Sequence, residues 1–269
     1  MAAELLTPLN FLVLAGIGAV AGLLGGLLGV GGSIIMIPAL TIAFGPDQQL
    51  YQAAAMIANV GIAVPAALRH RRAKAMVPEA LRWMGPAALV TVITGVYISN
   101  HVPGVVLSRI LAGFMLYVVG TNLLKLRPGA RLESLDTAKL TSLRGLSVGA
   151  AMGTTAGLLG IGGGAVATPL QQTLLKLPLR NAIANSSAII GISAAIGAIY
   201  KNASLASLPH HDYAWYQGLT LALCLIPTAL LASRLGAGLT HRLPLVPIRV
   251  IFILLLSVAA WKMADLPLG

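Results

Sequence analysis

A single cysteine, Cys224, excludes an intramolecular disulfide and any metal centre assembled from thiolates. Acidic residues are scarce too. Only seven Asp and Glu stand against 18 Lys and Arg, and none lies deep in an apolar stretch, so the carboxylates that catalysis or an intramembrane proton relay would use are missing. An enzyme is not expected, nor any cofactor. The driving force of any transport stays open, because backbone carbonyls can hold Na⁺ and passive export needs no coupling ion. The N-terminus, Met-Ala-Ala-Glu4, lacks the basic region of a cleaved secretory signal, so the stretch from Leu9 reads as a first membrane segment.

What the chain has in abundance is apolar surface. Hydrophobic residues make up 57%, charged residues 9%, and the mean hydropathy is +0.88, more than a soluble core can hide. Apolar stretches of membrane length recur from end to end, which predicts one all-α polytopic protein in a lipid bilayer with no soluble domain. In a soluble protein the net charge of +11 would suggest nucleic acid. Here the cations fall between apolar stretches, at Arg69, Arg71, Arg72 and Lys74, at Lys125, Arg127, Arg131, Lys139 and Arg144, and at Arg234 and Arg242. They read as cytoplasmic loops, and no nucleic-acid partner is expected.

A glycine-broken motif occurs twice: Gly26-Leu-Leu-Gly29-Val-Gly31-Gly32-Ser33 and Gly157-Leu-Leu-Gly160-Ile-Gly162-Gly163-Gly164, followed by Pro38 and Pro169. No Lys-Ser/Thr follows, which argues against a nucleotide loop. One copy alone is explained by close helix packing; two aligned copies point to duplicated broken helices. Such a break leaves backbone N–H groups uncovered and turns a positive helix end toward the gap, where an anion can bind without a buried lysine.

Hydropathy divides each half into five segments: Leu9–Gly29, Ile34–Phe44, Tyr51–Leu68, Trp83–Ile98 and Val105–Leu126, then Leu143–Gly160, Ala165–Leu175, Asn181–Tyr200, Tyr213–Leu235 and Leu245–Ala264. The second segment of each half spans about half the hydrocarbon core, ~16 Å, so it reads as a half-helix or re-entrant arm. Pro86 and Gly95 are spaced as Pro227 and Gly236, and His101 precedes Arg109 as His241 precedes Arg249. Residues 1–126 and 143–269 therefore form two transmembrane repeats joined by a basic cytoplasmic linker, 127–142. With the 69–74 loop inside, 201–212 falls outside and 234–242 inside, which makes the repeats inverted and suits alternating access.

These paired motifs with their prolines, the basic mid-chain linker and the length resemble the TauE/SafE sulfite exporter family, also called TSUP transporters, over about Leu12 to Trp261. The resemblance implies a bacterial-type inner-membrane permease for sulfite or organosulfonates; an anion channel, or a permease for other organic anions such as carboxylates, is the alternative. Where the family often carries a Thr-Ser pair after the short helix, the second half has Asn185-Ser186-Ser187. The first-half positions read as equivalent are Met56-Ile57-Ala58, with Asn59 beside them, so the second half is expected to supply most side-chain hydrogen bonds.

The substrate site expected from these readings comprises Gly29, Gly31, Gly32, Ser33 and Asn59 from the first half and Gly160, Gly162, Gly163, Gly164, Gln171, Asn185, Ser186 and Ser187 from the second. Gln171 ranks above Gln172 and Thr173. Arg109 and Arg249 near segment ends are expected to snorkel or to steer anions in the vestibules. The five histidines form no evident metal set, and Trp83, Trp215 and Trp261 read as interfacial anchors. A homo-oligomer is compatible with the sequence.

Overall fold

The computed structural model describes residues 7–124, 140–208, 213–214, 216–239 and 245–265, which form ten α-helices and no strand. They are α1 Pro8–Leu28, α2 Ser33–Phe44, α3 Gln48–Arg72, α4 Pro78–Asn100, α5 Gly104–Leu124, α6 Ser142–Leu159, α7 Gly164–Leu174, α8 Leu179–Leu205, α9 Gln217–Leu239 and α10 Leu245–Ala264. Each expected segment meets one helix. Seven of them, α1, α3, α4, α5, α8, α9 and α10, are long and apolar enough to cross a membrane. The linker, apart from residues 140–142, lies outside the described residues, as do Trp215, His210, His211 and His241.

Local chemistry sets the helix ends. Pro8 opens α1 behind Thr7, whose Oγ1 accepts from the Asn10 N–H at 3.3 Å. Asp47 caps α3 by accepting from the Leu50 N–H at 3.1 Å, and Arg69 to Arg72 crowd its last turn, where the helix dipole favours cations. Of the seven helices of membrane length, α3 and α8 are the most enclosed and lie against each other. Val90, Leu223 and Leu254 point outward, mostly exposed, an arrangement that suits lipid tails and not water.

Glycine stripes fasten the halves to each other. Along α1, Gly18, Gly22 and Gly26 meet Leu225, Ala229 and Ser233 of α9; along α6, Gly149, Gly153 and Gly157 meet Met84, Ala88 and Val92 of α4. A Cβ at any of these glycines would strike the partner backbone, so the close approach requires glycine. Gly236 sits against Leu23 and Leu27 as Gly95 sits against Thr154 and Leu158. The two interfaces are counterparts of each other, each formed by parallel helices.

The central pair runs the other way. Asn202 donates to the Ala53 carbonyl at 3.2 Å, Gly197 lies beside Met56, and Gly191 beside Val64, so α3 and α8 are antiparallel. Their common register differs from the one read in the sequence. Helices α2 and α3 start at Ser33 and Gln48, α7 and α8 at Gly164 and Leu179, which sets Ala54, Ala55 and Met56 opposite Asn185, Ser186 and Ser187. A second correction concerns Lys201. It does not open a loop: α8 continues to Leu205, and Lys201 is fully buried.

Candidate anion site at the crossed helix breaks

Both breaks turn on left-handed glycines, Gly29, Gly31, Gly160, Gly162 and Gly163, with φ between 63° and 86°. After the first break the chain doubles back. A Cβ on Gly32 would lie 2.9 Å from the Ala21 carbonyl oxygen, two turns back along α1, so α2 returns beside α1. The breaks of the two halves meet. A Cβ on Gly31 would stand 2.7 Å from the Ile161 carbonyl oxygen, and one on Gly164 would strike the Gly29 carbonyl.

Asn59 joins them. Its Oδ1 accepts from the Ser33 N–H at 3.3 Å, while its Nδ2 donates to Ser33 Oγ at 2.7 Å and to the Gly160 carbonyl at 3.4 Å. The glycines, Ser33 and Asn59 expected at the site are thus gathered at one crossing. Much of their hydrogen-bonding capacity is already spent. The first turn of α7 is different: the N–H groups of Gly164 and Ala165 have no hydrogen-bond partner among the described residues, since the helix's own bonds begin with Val166.

A second polar group lies where α7 packs on α8. Gln171 Nε2 donates to Ser186 Oγ at 2.8 Å and to the Ala182 carbonyl at 3.2 Å, and Ser186 Oγ meets Thr168 Oγ1 at 3.2 Å. Asn185 donates to Gln171 Oε1 at 3.2 Å and accepts from the Val77 N–H at 2.9 Å. Ser187 turns back on its own helix, donating to the Ile183 carbonyl at 2.9 Å. Gln171, Asn185 and Ser186 come together here, bonded to one another.

Beside this group is a small cavity of ≈ 30 Å³, room for about one water. Leu28 and Val30 of the first break, Ala165 and Thr168 of α7, Ile183 of α8 and Arg249 of α10 line it. Arg249 is half-buried here, closer to the breaks than a residue confined to a vestibule, whereas Arg109 is exposed on α5. Arg249 therefore lines the cavity beside a helix start with open N–H groups. An oxyanion is the chemistry that complements both. Thr168 had no signal of its own in the sequence, because it reaches the cavity only through the packing of α7.

The family model described as "Sulfite exporter TauE/SafE" matches residues 14–263. The chain belongs to the TauE/SafE family. TauE/SafE-type relatives carry transporter names: the probable membrane transporter protein of Haemophilus influenzae is 28% identical over 92% of this chain and 95% of its own length. The probable membrane transporter protein MamO is 26% identical in Paramagnetospirillum magneticum and 27% in Magnetospirillum gryphiswaldense, over 90% of this chain. The chain spans less than half the length of those two relatives, 42% and 43%. This TauE/SafE member has, among its described residues, seven helices long and apolar enough to cross a membrane, and its relatives are named as probable membrane transporters.

Lys201 was missed in reading the sequence as a site residue. It is buried at the far end of α8, with Nζ donating to Gln49 Oε1, to Ser99 Oγ at 3.1 Å and to Asn100 Oδ1 at 2.8 Å. A signal existed: between Tyr200 and Pro209 no residue breaks a helix, so the pattern continues past the lysine.

Proposed function

We propose that this protein is a permease of the bacterial-type inner membrane that carries small oxyanions, sulfite or organosulfonates first, between two inverted halves. The observation that carries the reading is the cavity at the crossed breaks, where Arg249 and the open first turn of α7 converge. An anion there would gain the Arg249 cation and the open N–H of Ala165 at the start of α7. Inversion is supported by the antiparallel α3 and α8: repeats related by an axis along the membrane normal would run these two equivalents in the same direction. Rocking one half against the other would then open the crossing to either side.

The test is flux of radiolabelled sulfite, methanesulfonate and acetate into proteoliposomes. Saturable exchange is expected, with sulfite or methanesulfonate preferred over acetate, and with Arg249→Gln raising the half-saturation constant about tenfold or more, the loss of a charged hydrogen bond. Conductance without saturation would replace the permease by a channel. An unchanged constant in Arg249→Gln would remove the cavity from the pathway. Leucine at Gly31 or Gly162 is a poorer probe, since a side chain at either is strained by the backbone and strikes the opposite break at Gly31 or crowds Asn59 and Ile190 at Gly162.

A further inference from the structure

We propose that Gln48, Ser108 and Lys201 form a second oxyanion site, at the opposite end of the α3–α8 pair from the Arg249 cavity and closed in this structure. The inference rests on the permease reading above. It starts from the shared register of the two halves. Where Leu179 and Ile183 of α8 line the Arg249 cavity, Gln48 and Gln52 of α3 take the corresponding places. Ile183 touches the first break, with its Cγ2 2.6 Å from a Cβ built on Gly29. Gln52 touches the second in the same manner: its Cγ is 2.9 Å from a Cβ built on Gly160, and its Nε2 donates to the Leu158 carbonyl at 3.0 Å.

This mirrored position is polar where its counterpart is apolar. Gln48 is buried, its Oε1 accepts from Ser108 Oγ at 3.3 Å, and its Nε2 has no hydrogen-bond partner among the described residues. A buried amide donor left open is expensive and calls for an acceptor that is not part of the chain. Lys201 supplies the second, independent observation. Its partners among the described residues, Gln49, Ser99 and Asn100, are neutral, so among those residues a fully buried cation stands without a carboxylate beside it. Burying a cation in this way is costly unless an anion accompanies it at some stage.

The two observations share the first turn of α3, where Gln48 adjoins Gln49, a partner of Lys201. Ser99 Oγ donates to Gln52 Oε1 at 2.7 Å and accepts from Lys201, so a continuous chain runs from the ammonium to the second break. Gln49 Nε2 also donates to the Ser99 and Val102 carbonyls, which ties the end of α4 over the lysine. In the closed state the neutral oxygens of Gln49, Ser99 and Asn100 occupy the donors of Lys201. When α4 and α3 part, those donors are released and join the already open Gln48 Nε2 on an oxyanion. Each side of the transporter would thus present one cation, Arg249 on one and Lys201 on the other, to the same cargo.

The experiment measures sulfite half-saturation from each face separately, in proteoliposomes of uniform orientation. Lys201→Gln and Gln48→Leu are expected to raise it at one face, about tenfold or more for the lysine, and Arg249→Gln at the other. Equal changes at both faces, or no change with Lys201→Gln while Arg249→Gln keeps its effect, overturn the second site and leave the permease reading standing. If the wild type carries none of sulfite, methanesulfonate and acetate, both readings fall together. Thermal unfolding without anion reports the folding of each variant, and if Lys201→Gln does not fold, Gln48→Leu and Ser108→Ala decide the question by the same criterion.

Discussion

Asn59 serves both halves with one amide, which makes its removal felt twice. Asn59→Leu leaves the Ser33 N–H and the Gly160 carbonyl buried without their partner, and unfolding in detergent should show a loss of roughly 2–4 kcal/mol. A loss no larger than that of an exposed polar substitution would mean the breaks hold each other without it. Asn185 calls for the same care, because its Oδ1 satisfies the Val77 N–H, so Asn185→Ala lowers stability before it can report on affinity. At the edge of the bundle Tyr213 donates to Asp47 Oδ1 at 2.6 Å, next to the cap of α3. Burial, and then this bond, raise its phenol above the ordinary value of 10.0. The folded state favours the protonated phenol, so its contribution is complete below about pH 10 and is lost as pH rises further. Tyr213→Phe should cost about 1 kcal/mol at neutral pH and flatten that alkaline decline in unfolding measurements, whereas an unaltered decline would assign it to other groups.

At the scale of elements, the same residue type does opposite things on different helix faces. Gly22 and Gly153 occupy counterpart positions in the α1–α9 and α6–α4 interfaces, where a Cβ strikes backbone that cannot move aside. Gly113 of α5 is exposed and meets nothing within 4 Å. Gly22→Ala and Gly153→Ala should each destabilise by about 1–3 kcal/mol through overpacking. Gly113→Ala should raise stability by roughly 0.5–1 kcal/mol, the ordinary gain of alanine over glycine inside a helix. Melting temperatures of the three variants in one detergent settle the comparison; destabilisation by Gly113→Ala would reveal a covered face on α5. The short helices follow another rule. Pro38 and Pro169 sit inside α2 and α7, tolerated because neighbouring helices enclose the backbone they leave unpaired.

For the whole molecule, what could be read in advance was whatever the chain writes locally. The glycines that end α1 and α6 punctuate the sequence, so α2 and α7 were placed within a residue of where they lie, Ile34–Phe44 against Ser33–Phe44 and Ala165–Leu175 against Gly164–Leu174. Properties made by distant partners were not legible. The burial of Lys201 depends on Gln49 and Ser99, the cavity position of Arg249 on four other elements, and the register of Asn185 on where α3 and α8 begin. The direction of the halves, by contrast, was read in advance from the charges between the segments, and it has a direct test. Because α3 and α8 are antiparallel, their C-terminal ends emerge on opposite faces, Arg71 at one and Ser207 at the other, both exposed. Glu79, at the start of α4 after a short turn, should share the face of Arg71. His101 should share that of Ser207, since Asn100 donates to Ser204 Oγ at 2.8 Å. With the buried Cys224 replaced by alanine, single cysteines at 71 and 79 should react with an impermeant maleimide from one side only, and those at 101 and 207 from the other. Inverted halves require that pattern, because the second half must cross in the opposite sense to the first. Labelling of positions 71 and 207 from the same side would leave the halves parallel, and with them would go the arrangement that gives each face its own cation.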